Sequence, residues 1–298
     1  MKRVLITGAN GLLGQKLIER YKDLDNISIM ATGRGKDRNP TGNHKYAIMD
    51  LTDSESVIKV IKNYRPNTVI NCAAMTQVDD CELNPDECYR QNIHTVGNLL
   101  EVHQYVPFHL IHLSTDFIFN GKDGPYREED PPDPLGIYGT SKLKSEQLIN
   151  KAGIKSTIIR TVLIYGIVPG LSRSNIILWV KKSLEENKHI KVVDDQWRTP
   201  TLAEDLAEGC CLVEKKEALG VYNISGREML SPYDIAIQTA EFFGLNTSTL
   251  KRADRSSFKQ PAKRPPKTGL VLDKAEKELG YQPHSFKEGL SILKSQLD

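Results

Sequence analysis

Along the first half of the chain, short apolar runs rich in β-branched residues alternate with longer stretches in which apolar residues recur every three or four positions. The short runs are VLIT (4–7), ISIMAT (27–32), YAIM (46–49), TVINCA (68–73), FHLIHLS (108–114) and STIIRT (156–161). Between them, SESVIKVIKNY (54–64) and ECYRQNIHTVGNLLEVHQ (87–104) carry the helical period. Strands apolar on both faces, joined by helical crossovers, predict a parallel sheet covered on both sides. The fold class is therefore α/β, a doubly wound (Rossmann) sheet whose ligands sit beyond the carboxyl ends of the strands.

After about residue 165 the rhythm loosens. The pattern predicts helices at 174–187, 202–214, 232–243, 273–279 and 286–296, with strands at 190–193 and 221–224. Residues 123–136 and 260–269 are Pro-rich loops, where binding residues often sit. This divides the chain into a dinucleotide-binding domain, 1–165, to which 190–225 returns, and a smaller C-terminal substrate domain made mainly of 166–189 and 226–298.

Three glycines, Gly8, Gly11 and Gly14, fall where the first strand becomes the first helix. Glycine weakens a helix, so a side chain there must obstruct something. Gly8 permits the tight turn, Gly11 lets backbone approach a pyrophosphate, and Gly14 lets the helix pack close to the sheet. The competing reading is a glycine-rich connection without a ligand. The second strand ends in ATGRGKDR, with Arg34, Lys36 and Arg38 and no acid before Asp37. A guanidinium there suits the 2′-phosphate of NADPH, with NADH a second cofactor it could accept. A solvated basic loop is the alternative. Asp50 and Leu51, after the third strand, are placed to reach the adenine or to cap the next helix.

The candidate reactive group lies in IYGTSKLKSEQLI (137–149). Of eleven tyrosines only Tyr138 is followed by a lysine, Lys142, four residues on, so the two share a helix face. Reduction of a carbonyl needs a proton for the developing alkoxide. A phenol is a serviceable acid, and a nearby ammonium stabilises its phenolate. Thr115, at the end of the HLST strand, offers a hydroxyl to the same oxygen. The plainer readings are a half-buried helix aromatic, a solvated lysine and a hydroxyl bonded to backbone.

Composition narrows the field. A hydrophobic fraction of 39% over 298 residues supports a proper core, and 40 basic against 38 acidic residues leave no field to hold nucleic acid. The cysteines, Cys72, Cys81, Cys88, Cys210 and Cys211, are odd in number and lack CxxC spacing, which argues for reduced thiols. No run approaches the roughly 20 apolar residues of a membrane span, and the N-terminal run stops at Gly8. A cytoplasmic protein with no membrane or nucleic-acid partner is expected.

The motifs TGANGLLG (7–14), INCAAMTQVDDCE (70–82), HLSTDFIFNG (112–121), PYREEDPPDPLGIYGTSKLKSE (125–146), RTVLIYG (160–166), TPTLAEDLA (199–207) and RPPKTGLVLD (264–273) resemble the extended short-chain dehydrogenase/reductase family. The branch they resemble is that of the dTDP-4-dehydrorhamnose reductases, over nearly the full length. The resemblance implies that Tyr138 is the proton donor, Lys142 its orienter and Thr115 the hydroxyl that polarises the substrate. It implies cofactor contacts at Gly8, Asn10, Gly11, Leu12, Leu13, Gly14, Arg34, Asp50, Leu51, Cys72, Ala73, Ala74, Tyr138 and Lys142, with Ala73 and Ala74 on the nicotinamide side. Asn92 is implied as a structural polar residue. The substrate implied is a nucleotide-diphosphate 4-keto deoxysugar between the domains, near Thr115 and Asp116. Arg198 and Arg264 are the candidate cations for its diphosphate, a surface salt bridge being the plainer reading of each.

Some members of the family dimerise through a magnesium site that includes an acid just after the third glycine. Here that place reads Gln15-Lys16, and although Asp194-Asp195 remains, no metal is expected; a homodimer stays compatible with the sequence. A dehydratase usually has Glu after Thr-Asp, where this chain has Phe117, and the basic Arg34 loop argues mildly against an epimerase. The regulatory β subunit of methionine adenosyltransferase is also similar to this branch, so a dinucleotide-binding regulatory role is the alternative function.

Overall fold

The computed structural model describes residues 1–22, 24–40, 44–170 and 175–297. The first half runs β1 (Lys2–Thr7), α1 (Leu12–Tyr21), β2 (Ile27–Gly33), β3 (Lys45–Ile48), α2 (Ser54–Tyr64), β4 (Thr68–Asn71), α3 (Val78–Leu83), α4 (Pro85–Tyr89), α5 (Thr95–His103), β5 (His109–Thr115), α6 (Ile137–Ala152) and β6 (Ser156–Thr161). The second half adds β7 (Ile164–Tyr165), α7 (Ile176–Glu185), β8 (Ile190–Val193), β9 (Thr201–Leu202), α8 (Ala203–Lys216), β10 (Gly220–Asn223), α9 (Pro232–Phe243), β11 (Leu250–Ala253) and α10 (Phe286–Lys294).

Seven strands form one parallel sheet in the order β10-β6-β5-β4-β1-β2-β3. From β1 the chain winds outward to β3, then returns to β4 on the other side of β1. The carboxyl ends of β1 and β4 are thus the switch point where a doubly wound sheet opens a crevice. The six expected strands fall in place, and both faces are covered. Leu17, Ile18, Leu206 and Cys210 fill the core on the face of α1 and α8. Val57, Ile61, Leu99 and Val102 fill it on the face of α2 and α5.

Several expectations change. The fourth run, 68–73, ends as a strand at Asn71, because the chain leaves the sheet to border the crevice. The helix expected at 87–104 starts at Pro85 and contains a π-helical turn, Arg90–His94, between α4 and α5; that expected at 273–279 is a π-helical turn, Ala275–Leu279. Segment 190–225 does not return to the main sheet as a whole. There α8 packs on α1 and β10 extends the sheet beside β6, but β8 pairs in parallel with β11. The physical reason lies in its pattern: β8 alternates buried and exposed residues, so only one face needs cover, and α7 and α9 supply it through Val180, Leu184, Ala236 and Ala240. The helix expected from 174 begins at Ile176 behind an Asn175 cap, residue 174 lying outside the described residues.

The two Pro-rich loops meet each other, Tyr126 bridging to Leu270 and the 197–198 segment to Lys267 and Leu230. They carry the C-terminal region onto the end of the sheet where the candidate residues lie. Among the described residues, no helix is long and apolar enough to cross a membrane.

Candidate active site

Gly8 leaves β1 with φ of +63°, a conformation that disfavours any residue with a Cβ. A Cβ there would stand 2.9 Å from the Ala73 backbone nitrogen, so the glycine turn and the end of β4 are in direct contact. Gly14 sits on the same turn, where a Cβ would come within 2.5 Å of the Gly8 carbonyl oxygen. Gly11 is exposed at the start of α1, whose first N–H groups face the crevice end.

A cleft of about 720 Å³ opens beside this turn. Of the residues expected at a cofactor, Gly8, Asn10, Gly11, Arg34, Asp50, Leu51, Cys72, Ala73 and Ala74 line it. Leu12, Leu13, Gly14, Tyr138 and Lys142 do not; Leu13 faces the core, where it packs with Leu17. Asn10 has a role that the motif did not reveal. Its amide bonds the Lys36 carbonyl (3.0 Å), the Tyr46 hydroxyl (3.0 Å) and the Arg38 N–H (2.9 Å), so it fastens the basic loop to the glycine turn. Arg34 is exposed at the cleft, and Lys36 and Arg38 also line it. The loop does cap α2, through Asp53, which accepts from Glu55 N–H at 3.1 Å, rather than through Asp50. Burial pushes the Asp50 carboxyl up, but two hydrogen bonds from Thr52 in the same turn, together with Arg34 and Arg90, outweigh it and hold the pKa down.

Tyr138 and Lys142 stand on α6, whose first turn is capped by Glu82 accepting from Ile137 N–H at 3.0 Å. The next residue after the tyrosine is Gly139, where a Cβ would come within 2.1 Å of the Phe117 carbonyl oxygen. That close approach brings Tyr138 to the end of β5, where its hydroxyl lies near the Thr115 side chain and its ring meets Phe117 edge-on at 5.8 Å. Burial raises the phenol pKa, with Thr115 pulling it down and Asp116 pushing it further up. Lys142 is 2% exposed, and burial lowers its pKa to about 8 against the attraction of Glu146. The Thr115 hydroxyl donates to Asp116 Oδ1 at 3.1 Å and accepts from Phe117 N–H at 3.2 Å.

Asp116 is buried between Thr115, Thr268 and Arg198, and burial raises its pKa against those partners. Arg198, expected at a diphosphate, is 5% exposed and turned inward. Its Nε lies 3.7 Å from Asp116 Oδ2, and its Nη groups donate to the Trp197 carbonyl (2.8 Å) and the Pro265 carbonyl (2.7 Å). It is a buried ion pair rather than a surface one. Arg264 holds Asp79 of α3 through both Nη groups, at 3.1 and 2.7 Å, and also borders a second cleft of about 430 Å³. Trp179, Lys191, Val192, Gln196 and Phe258 line that cleft as well.

Asn92 lies in the π-helical turn, donating to Ser141 Oγ at 2.8 Å and accepting from Met75 N–H at 2.8 Å, so it ties α6 to the segment after β4. Such turns frequently mark functional sites, but the sequence pattern of a helix gives no sign of one. Tyr46, Asp79, His112 and Thr268 were missed for a similar reason: each matters through a partner remote in sequence. Lys16, in the place of the family's acid, lies 2.8 Å from Glu204, while Asp194 and Asp195 face Arg252 and Arg255.

Comparison with known proteins identifies the family. The chain is 34% identical over 293 residues to the spore coat polysaccharide biosynthesis protein SpsK of Bacillus subtilis, covering 97% of this chain and 96% of that one. It is 33% identical over 255 residues to methionine adenosyltransferase 2 subunit beta of Bos taurus, covering 84% and 75%. Among solved structures, dTDP-4-dehydrorhamnose reductase of Bacillus anthracis in complex with NADP superposes with a TM-score of 0.85 at 28% identity, covering 99% of this chain and all of that one. Residues 1–297 match the RmlD substrate binding domain, and the chain belongs to that family.

Proposed function

We propose that the protein reduces the 4-keto group of a nucleotide-linked deoxysugar with NADPH, as a dTDP-4-dehydrorhamnose reductase of dTDP-L-rhamnose biosynthesis in the cytoplasm. The observation that carries this reading is the convergence of Tyr138, Thr115 and Lys142 at the sheet end that also holds the glycine turn. The turn fits a pyrophosphate, because Gly8 leaves no room for a side chain and Gly11 is open. Arg34 and Lys36 would take the 2′-phosphate, Asp50 and Leu51 the adenosine side, and Ala73 and Ala74 the nicotinamide side. NADPH supplies the hydride for the carbonyl carbon when bound.

The residues of the chain then manage the oxygen. As the carbonyl π electrons move onto it, the Tyr138 phenol donates its proton, giving the alcohol and a phenolate. The Lys142 ammonium stabilises that phenolate, and solvent restores the proton. A raised phenol pKa keeps Tyr138 protonated until an alkoxide forms. Thr115 holds the substrate oxygen once its hydrogen turns from Asp116. Phe117 leaves the site without the further acid that elimination of water requires. The nucleotide part of the substrate is assigned to the second cleft, where Trp179 and Phe258 offer aromatic faces and Lys191 and Arg264 cations. Arg264 is better suited to a diphosphate than Arg198, because it borders this cleft with its side chain 20% exposed, whereas Arg198 is buried against Asp116.

A second reading, a dinucleotide-binding subunit that modulates a partner enzyme, is favoured by the similarity to the methionine adenosyltransferase subunit. One experiment separates them: NADPH oxidation with dTDP-4-keto-6-deoxy-L-lyxo-hexose, using the parent protein and Tyr138→Phe. Turnover by the parent, lowered about 10²–10⁴-fold in the variant while NADPH binding persists, supports the reductase. Binding of NADPH without turnover by the parent would favour the subunit.

A further inference from the structure

Four polar side chains from four elements form a chain across the carboxyl end of the sheet. Thr7 closes β1, Asn71 closes β4, His112 lies on β5 and Lys142 on α6. Thr7 Oγ1 lies 2.6 Å from Asn71 Oδ1, Asn71 Nδ2 lies 3.0 Å from His112 Nδ1, and His112 Nε2 lies 3.0 Å from Lys142 Nζ. All four are at most 2% exposed, and Thr7 also borders the dinucleotide cleft. The groups facing Lys142 are Glu146 on its own helix, Cys88 of α4, Cys72 after β4 and His112 of β5. Glu146 is engaged with Arg160, at 2.8 and 3.2 Å, and with Ser114. The imidazole is therefore the group in hydrogen-bond contact with the amine.

We propose that His112 is the positioning residue of Lys142, its Nε2 fixing the amine at the active site while the ring tautomer follows the charge of the lysine. An ammonium only donates, so a charged Lys142 requires a bare Nε2 and places the ring proton on Nδ1. Asn71 then turns its amide oxygen to Nδ1 and its NH₂ to Thr7, a half-turn of a group whose two ends have the same shape. A neutral Lys142 reverses each bond: Nε2–H donates to the amine, Asn71 Nδ2 to Nδ1, and the Thr7 hydroxyl to Asn71 Oδ1. Ser145 Oγ, 3.3 Å from Nε2, already donates to the Lys142 carbonyl at 2.7 Å and leaves Nε2 to the amine. The ring stays neutral throughout, because burial and the adjacent lysine hold its pKa well below the usual value. The amine is thus anchored without a second buried charge.

The proposal rests on the reading of Lys142 as partner of the phenol, and its main test stands apart from turnover. In protein labelled with ¹⁵N-histidine, two-bond ¹⁵N–¹H spectra report which ring nitrogen carries the proton, with His112→Asn giving the assignment. The expected result is Nδ1–H below the lysine pKa of about 8 and Nε2–H above it, with no such change in Lys142→Met. An imidazolium, a tautomer fixed across that range, or the same change in Lys142→Met would overturn the proposal. A second arm compares His112→Phe with His112→Gln. The phenylalanine variant should lose about 10²-fold in kcat and move the alkaline limb of its pH profile downward, since the buried ammonium has lost its acceptor. Glutamine, which retains an acceptor, should recover most of both. A folded His112→Phe with an unmoved limb and kcat near the parent value would also overturn it. If the parent shows no turnover, the functional reading fails while the spectra still decide the role of His112.

Discussion

Replacing Arg34 with alanine isolates how the cofactor is chosen. The side chain is exposed at the mouth of the dinucleotide cleft and makes no hydrogen bond or ion pair among the described residues, so its removal should change folding stability by no more than about 0.5 kcal/mol. A 2′-phosphate would gain charge-assisted bonds from it, each on the order of 1.5–3 kcal/mol before solvent screening. If about 1.4 kcal/mol survives, NADPH binding weakens roughly tenfold in Arg34→Ala. Asp50 sharpens the effect, because it lines the same cleft and Arg34 helps to hold it ionised. Without the guanidinium, the phosphate meets that carboxylate unshielded, and Asp50→Asn in the Arg34→Ala background should restore part of the affinity. NADH lacks the phosphate and should bind both proteins alike. Fluorescence titration of each cofactor at low and high salt measures this, the preference narrowing as salt screens it. Equal losses for NADH and NADPH would refute the reasoning and make Arg34 a support of the loop.

Two further outcomes are expected. Gly8→Ala should destabilise the fold by about 1–3 kcal/mol through its positive φ, and should weaken dinucleotide binding further, because the added Cβ displaces Ala73; urea unfolding and cofactor titration measure the two parts. Lys142→Met should abolish turnover yet stabilise the protein, since lowering the lysine pKa from 10.5 to about 8 corresponds to about 3 kcal/mol of burial penalty. The folded pKa lies below the unfolded one, so that penalty is complete below pH 8 and fades as pH rises toward 10.5. The stability difference between variant and parent should follow the same course in urea unfolding, and a gain independent of pH would refute the assignment.

Much of this protein is written locally in its sequence. The apolar runs at 4–7, 27–32, 108–114 and 156–161 became β1, β2, β5 and β6 because strands buried on both faces are mostly apolar. Gly8 and Gly14 announced the turn, since a Cβ at either would run into neighbouring backbone and glycine best tolerates the positive φ of Gly8. Tyr138 and Lys142 announced their shared face, which follows from 3.6 residues per turn. What the pattern could not determine is which distant element each face meets. The one-sided burial of β8 suits the edge of a large sheet or a two-stranded pair with β11 equally well, and packing against α7 and α9 chose the pair. A buried arginine reads the same as an exposed one until Asp116 and the 265 carbonyl close around it. His112 shares its strand with His109, Ser114 and Thr115, and only the docking of α6 on β5 set it against the lysine. Periodicity records which side of an element avoids water, whereas partner, register and side-chain direction come from close packing between segments tens of residues apart.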